Sequence, residues 1–326
     1  MNRTMNHPLL HGVTVATVLP FAPDGAIDWN SFERLLAYCA TPEGIGAVFV
    51  NGHAGESSAL SAEERASVIR FARQRIAPDQ TLVAGLVAAS TDDAVRQALD
   101  ARQAGADVLT VFPIAHPEAD GESIAAAQLA HVRAIGEAAQ VPLAIFQYPI
   151  QSRESYATST LECFARMPWV IGVKEGSDSM TVYEDNLRAL RAVNPGVAVL
   201  ASNFDWFLPQ LAVGSDGILS GLASLVPQGL CALWKASQRK DLDGMRRFSD
   251  AMFPLVRAIY AAPRSDMYAR IKVALHDAGV IDSAFSRTSK TVFGDALRRS
   301  LRQSLLQALA ACGPAPIVRP STGSHA

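Results

Sequence analysis

The stretch Trp169-Val170-Ile171-Gly172-Val173-Lys174-Glu175-Gly176 runs apolar for five residues and then stops on two charges and a glycine. With no polar residue alternating into the run, it reads as a parallel strand covered on both faces. Seven other runs share the pattern: Val13–Leu19, Ile45–Val50, Thr81–Val87, Ala106–Phe112, Pro142–Phe146, Val197–Ala201 and Gly217–Leu222. Each is followed by turn residues and then by a helical pattern. Asp28 stands before the first helix, Ser61 opens the second with Glu64 three residues on, and Ser90 or Thr91 precedes the third. These are the residue types that satisfy the free amides of a helix start. Repeated strand–helix units across residues 12–226 predict an α/β chain folded as a (β/α)8 TIM barrel. An open doubly wound sheet is the lesser alternative, since no GxGxxG follows the first strand.

Outside the barrel the text changes. Residues 1–11 form a polar extension. From Pro227 to Cys312 the pattern is helical throughout, which predicts a helical appendix packed on the barrel. Residues 313–326 hold three prolines, two glycines and no periodicity, and are expected to lack order.

The whole chain has 326 residues, 49% hydrophobic and 18% charged, enough for a large core. Its 29 Lys and Arg against 31 Asp and Glu give a net charge of −2, so charge provides no drive toward nucleic acid or anionic membranes. No apolar run reaches the roughly 18–20 residues of a membrane span, and the N-terminus has no signal-like apolar core. A cytoplasmic location is expected. Cys39, Cys163, Cys231 and Cys312 are scattered singly, with no CxxC, and are expected to be buried free thiols. No HExxH, clustered ligand set, nucleophile elbow or phosphate loop is present, so no metal or organic cofactor is expected.

Lysine is scarce. Lys235, Lys240, Lys272 and Lys290 fall in the appendix, where a solvated ammonium is expected; Lys174 alone belongs to the barrel. It ends the sixth strand, and barrels of this kind carry their chemistry at the C-terminal strand ends. A buried ammonium is costly unless paired, and the alternative is a lowered pKa that makes the amine a nucleophile. Its natural chemistry is imine formation with a carbonyl compound. The structural alternative is an ion pair with Glu56 or Asp205. A second marker, Gly52-His53-Ala54-Gly55-Glu56-Ser57, follows the second strand at the same barrel face. Its glycines let backbone amides approach an anion such as a carboxylate.

Together these segments resemble the dihydrodipicolinate synthase / N-acetylneuraminate lyase family of Schiff-base lyases. The resemblance runs over residues 12–300. It is carried by Pro20-Phe21 with Asp24-Gly25-Ala26-Ile27-Asp28, by Gly52 to Ser57 with Leu60-Ser61-Ala62-Glu63-Glu64, and by Ala104-Gly105-Ala106-Asp107. Ile171-Gly172-Val173-Lys174-Glu175 and Gly217-Ile218-Leu219-Ser220 complete it. The resemblance implies a homotetrameric, dimer-of-dimers barrel lyase of class I aldolase type that uses no cofactor. Lys174 would condense with the keto group of pyruvate or a related 2-oxo acid. Gly52, Ala54, Gly55 and Glu56 would hold the substrate, with Gln147 and Leu219 as further binding residues.

The departures from the family pattern concern proton transfer. The family's strand-5 Y-N-x-P is Phe146-Gln147-Tyr148-Pro149 here, so a phenylalanine stands at the tyrosine position. Tyr148, two residues on, falls on the same side of an extended chain and becomes the candidate phenol. His53 and Ala54 replace the two loop hydroxyls, making His53 a second candidate. Pro113-Ile114-Ala115-His116-Pro117 replaces the P-Y-Y-N of the synthases, leaving His116 as a loop histidine able to titrate near neutrality. The synthases' arginine after Y-N-x-P is Gln151, with Arg153 nearby, which argues against aspartate semialdehyde as second substrate. The reading is therefore a 2-oxo acid lyase or aldolase. The alternative is a 2-keto-3-deoxy sugar acid dehydratase or deaminase using the same imine. A 4-hydroxy-tetrahydrodipicolinate synthase and a non-enzymatic binding paralogue rank below these.

Overall fold

The computed structural model describes residues 8–116, 121–202 and 207–312. Most of the N-terminal extension, the whole tail, and Phe204 and Asp205 lie outside the described residues. Eight parallel strands close into a barrel in chain order: β1 Gly12–Ala16, β2 Ile45–Val50, β3 Thr81–Leu86, β4 Val108–Val111, β5 Leu143–Phe146, β6 Val170–Glu175, β7 Ala198–Ala201 and β8 Gly217–Ser220. Closure is made by β1 on β8, with Gly12 opposite Gly217 and Thr14 opposite Leu219. Nearly every strand residue is buried, as runs apolar on both faces require.

The intervening helices are α1 Trp29–Ala40, α2 Ala62–Arg73, α3 Thr91–Gln103, α4 Gly121–Ala139, α5 Thr158–Ala165, α6 Met180–Val193 and α7 Phe207–Val213. Their starts follow the sequence signals. The Asp28 side chain accepts from the Ser31 amide, Ser61 and Glu64 form a reciprocal capping box, and Ser90, not Thr91, caps α3.

Two strands end earlier than the apolar text. The first run reaches Leu19, but β1 stops at Ala16 because the Ser224 hydroxyl donates to the Ala16 carbonyl (2.9 Å) and accepts from the Val18 amide (3.3 Å). The eighth run reaches Leu222, but Ser220 Oγ accepts from the Leu222 amide (3.1 Å) and turns the chain into a 3₁₀ segment over Gly221–Ser224. In the other direction, β6 continues through Lys174 and Glu175, which pair with Leu200 and Ala201 of β7.

After β8 come α8 Pro227–Gln238, α9 Leu242–Ile259, α10 Met267–Asp277 and α11 Asp295–Cys312. The region is not helical throughout, as the sequence pattern led one to expect. Residues 278–294 form an irregular strap between α10 and α11. Its backbone is held by side chains of the barrel. Arg287 grips both Glu64 oxygens (2.9 and 2.7 Å) and the carbonyls of Ala59 and Gly25 (2.9 Å each), and Arg34 pairs with Asp282 (2.6 Å). Helix α11 buries Leu301, Leu305, Ala308 and Leu309 and packs chiefly on α9.

All four cysteines are free thiols, and Cys39 and Cys231 are buried as expected. Cys163 is instead exposed and Cys312 half-buried. Helix α5 buries Thr160, Leu161, Phe164 and Ala165, which turns Cys163 outward. Among the described residues, no helix is long and apolar enough to cross a membrane, and no cluster of three or more metal-ligand side chains occurs.

Candidate active site

Strand β6 delivers Lys174 to the C-terminal end of the barrel, where its side chain is 8% exposed. Among the described residues it makes no hydrogen bond or ion pair. Burial pulls its amine down from the ordinary lysine range to about 7; the neighbouring Glu175 and Asp178 charges pull weakly the other way. The site needs glycine at position 176: a Cβ there would stand 2.4 Å from the Gln147 carbonyl oxygen and 3.0 Å from Lys174 Nζ. Glu175 points into a separate hydrogen-bonded socket, accepting from Asn186 Nδ2 (3.0 Å) and from the Ser177 amide and hydroxyl (3.2 and 3.1 Å).

Phe146 lies directly across from Lys174 in the β5–β6 register, and Nζ sits 3.8 Å from the centre of its ring. A ring face at that distance attracts a cation, by roughly 1–2 kcal/mol when water is excluded. Phe112 stacks on Phe146 at 4.3 Å and meets the His53 ring edge-on at 4.5 Å. The wall around the lysine is therefore aromatic.

His53 and Tyr148 converge. His53 Nε2 and the Tyr148 hydroxyl are 2.8 Å apart, although the residues come from the β2 and β5 loops. Burial, and next the Lys174 charge, lower His53 to about 4, so its ring is neutral at pH 7. Burial, then the Glu154 charge, raises the Tyr148 phenol to about 12, so it keeps its hydrogen. With the ring hydrogen on Nδ1, Tyr148 donates to Nε2. A neutral base and a protonated phenol in direct contact can exchange a proton with a bound substrate.

The loop carrying His53 is bracketed by two left-handed residues, Asn51 (φ 57°) and Glu56 (φ 53°). Such conformations cost of order 1–3 kcal/mol and persist where surroundings enforce them. The enforcement at Glu56 comes from the appendix. Its carboxylate receives the Lys272 ammonium, the Ser286 hydroxyl (2.9 Å), and the Thr288 amide and hydroxyl (2.8 and 2.9 Å). Burial alone would raise this carboxyl, but Lys272 and the hydroxyls outweigh it and hold it below the usual range.

Two expectations are corrected here. Lys272 is not solvated: it is fully buried, at about 8 through burial opposed by Glu56, and lies 4.3 Å from the Phe21 ring centre. Glu56 does not face a ligand, because both of its oxygens are taken. Its pairing with Lys272 also leaves it unavailable to Lys174.

Inside the loop, the Ser57 and Glu56 amides bond back to Gly52 and His53 carbonyls (3.3 and 3.0 Å). The amides of His53, Ala54 and Gly55 donate to no protein group among the described residues. Three free successive amides make a concave anion site. Gln147 is another correction. Its side chain donates to the Tyr156 carbonyl (2.8 Å) and accepts from the Tyr156 amide (2.9 Å), so it holds the β5–α5 loop and is not offered to substrate. Leu219 is buried in β8. His116 lies against His131, with ring centres 6.5 Å apart. Gln151 and Arg153 are both exposed.

Sequence reasoning passed over Asp178, Arg264 and Tyr268. Arg264 precedes α10 and pairs with Asp178 of the β6 loop (3.1 Å). Tyr268, in the first turn of α10, lies over Gly221 beside Ala54. Their signal would have been two polar or aromatic residues one helical turn apart, which is too common to single out.

Comparison with known proteins supplies an independent line. The family model described as the dihydrodipicolinate synthetase family matches residues 9–308. A 4-hydroxy-tetrahydrodipicolinate synthase of Pseudomonas aeruginosa is 27% identical over 301 residues, spanning 92% of this chain and 98% of that protein. A monomeric dihydrodipicolinate synthase variant superposes with a TM-score of 0.85 at 21% identity, covering 93% of this chain and 98% of the other. A dihydrodipicolinate synthase from Acinetobacter baumannii, solved with pyruvate, gives 0.82 at 24% identity, covering 92% and 99%.

Proposed function

Because the chain belongs to the dihydrodipicolinate synthetase family, whose members are class I aldolase lyases, we propose that it processes a 2-oxo acid of pyruvate type through an imine on Lys174. The observation that carries this reading is the Lys174 amine itself: buried, unpaired among the described residues, and lowered to about 7. A fair fraction is neutral at physiological pH and able to attack a keto carbon.

The amine nitrogen forms a bond to the keto carbon and gives a carbinolamine. Two protons delivered to the former keto oxygen release it as water and leave the iminium. Phe146 faces that positive charge with its ring. The substrate carboxylate fits the free amides of His53, Ala54 and Gly55. The iminium draws electrons from the neighbouring C–H bond. Tyr148 takes that proton on its oxygen as its own hydrogen moves to His53 Nε2, 2.8 Å away. The resulting enamine carbon attacks an aldehyde, or in reverse a C–C bond opens and pyruvate leaves after hydrolysis. The exposed Gln151 and Arg153 leave the β5 loop without a buried arginine for a second carboxylate, which weighs against aspartate semialdehyde as the acceptor.

The test is borohydride trapping with pyruvate and longer 2-oxo acids, read by peptide mass spectrometry with Lys174→Ala as control. An adduct on the Lys174 peptide with pyruvate supports the reading. No adduct with any 2-oxo acid overturns it. The homotetramer implied by the resemblance belongs to the same proposal. Light scattering should return four times the 34.7 kDa chain mass.

A further inference from the structure

The start of α10 reaches across the barrel mouth. Arg264, just before it, contacts Asp178 after β6 (3.1 Å), and Tyr268 contacts the backbone after β8. A Cβ built on Gly221 would stand 3.1 Å from the Tyr268 ring and 3.7 Å from the Ala54 methyl. Position 221 therefore has no room for a side chain, and the ring lies next to the loop whose His53 holds Tyr148. The Tyr268 phenol has no hydrogen-bond partner among the described residues, although the residue is more than half buried. Burial raises its titration, and the Tyr148 phenol raises it further, so the two hydroxyls sense each other.

We infer that Tyr268 is a positioning and proton-supplying residue that links the His53–Tyr148 pair to solvent at the barrel mouth. This rests on the imine reading of Lys174. The step balances as follows. When the enamine is protonated, the Tyr148 O–H bond breaks as a C–H bond forms on the enamine carbon. Tyr268 gives its hydrogen to the Tyr148 oxygen, and water returns a proton to Tyr268. The net change is one proton moved from solvent to carbon. The helical appendix thus contributes to the site a hydroxyl that the barrel lacks, since Phe146 has none.

The experiment uses the full-length enzyme and its Tyr268→Phe variant, which keeps the ring over Gly221 and removes only the hydroxyl. Two readouts are taken with pyruvate: borohydride trapping at Lys174, and exchange of the methyl hydrogens in heavy water followed by proton NMR. The expected result is an equal trapped yield and an exchange rate at saturating pyruvate that falls fivefold or more, with the half-saturating concentration unchanged within twofold. A smaller fall overturns the inference alone. A raised half-saturating concentration with the saturated rate kept makes Tyr268 a wall for substrate and also overturns it. No trapped adduct in the parent enzyme overturns the imine reading and this inference with it.

Discussion

Lys174 is held in a site that favours its neutral form, and this has consequences for rate and for stability. Its folded-state value of about 7 lies below the ordinary lysine value of 10.5. At and below pH 7 the folded protein carries a buried ammonium at full cost. Between about 7 and 10.5 the unfolded chain binds more protons than the folded one, so stability from this group rises with pH. Lys174→Met should therefore be more stable than the parent at pH 6, by at least about 1 kcal/mol in urea denaturation. That gap should narrow at pH 9. The rate of adduct formation should climb about tenfold from pH 6 to 8 as the neutral amine accumulates. A flat profile would detach Lys174 from the chemistry. At the neighbouring pair, Tyr148→Phe removes the proton carrier but not the nucleophile. Turnover should drop roughly 10²–10⁴-fold while the Lys174 adduct still forms. Loss of the adduct as well would assign Tyr148 to substrate binding.

Loops and straps, more than strands, hold what the sequence did not reveal. The barrel was legible because eight apolar runs are separated by turn chemistry, and because Asp28, Ser61 and Ser90 are local signals read within three residues. Lys174 was legible because it interrupts such a run at its end. The destinies of Glu56, Gln147 and Lys272 were not legible. Their partners are set by the closed fold: Lys272 meets Glu56 across 216 residues, and Gln147 serves a backbone nine residues on. The strap over 278–294 was hidden for the same reason, since Arg287 finds its carboxylate only after α2 and α10 are in place. Removing one member of the buried Glu56–Lys272 pair strands the other charge. Glu56→Gln should cost about 3–5 kcal/mol in denaturant unfolding. Combining it with Lys272→Met should recover a good part of that loss. If the double variant is no better than the single one, the pair is not the source of the loop's stability.

At the scale of the molecule, barrel and appendix are joined by Glu56–Lys272, Glu64–Arg287, Arg34–Asp282 and Asp178–Arg264. Four ion pairs that each cross the junction, one of them fully buried, favour a single cooperative unit. Urea melts followed by far-ultraviolet dichroism and by tryptophan fluorescence should coincide, since Trp29 and Trp169 report the barrel and Trp234 reports α8. Separate transitions would mean that the barrel stands alone. The crossing pairs also impose an order in time. During synthesis the His53 loop emerges early, but the ammonium that neutralises Glu56 follows 216 residues later. At about 5–20 residues per second, that is a wait of about 10–40 s. Through that interval the nascent barrel carries an unmatched carboxylate beside its mouth, so a premature stop before Lys272 leaves the substrate loop without its anchor even when all eight strands have been made.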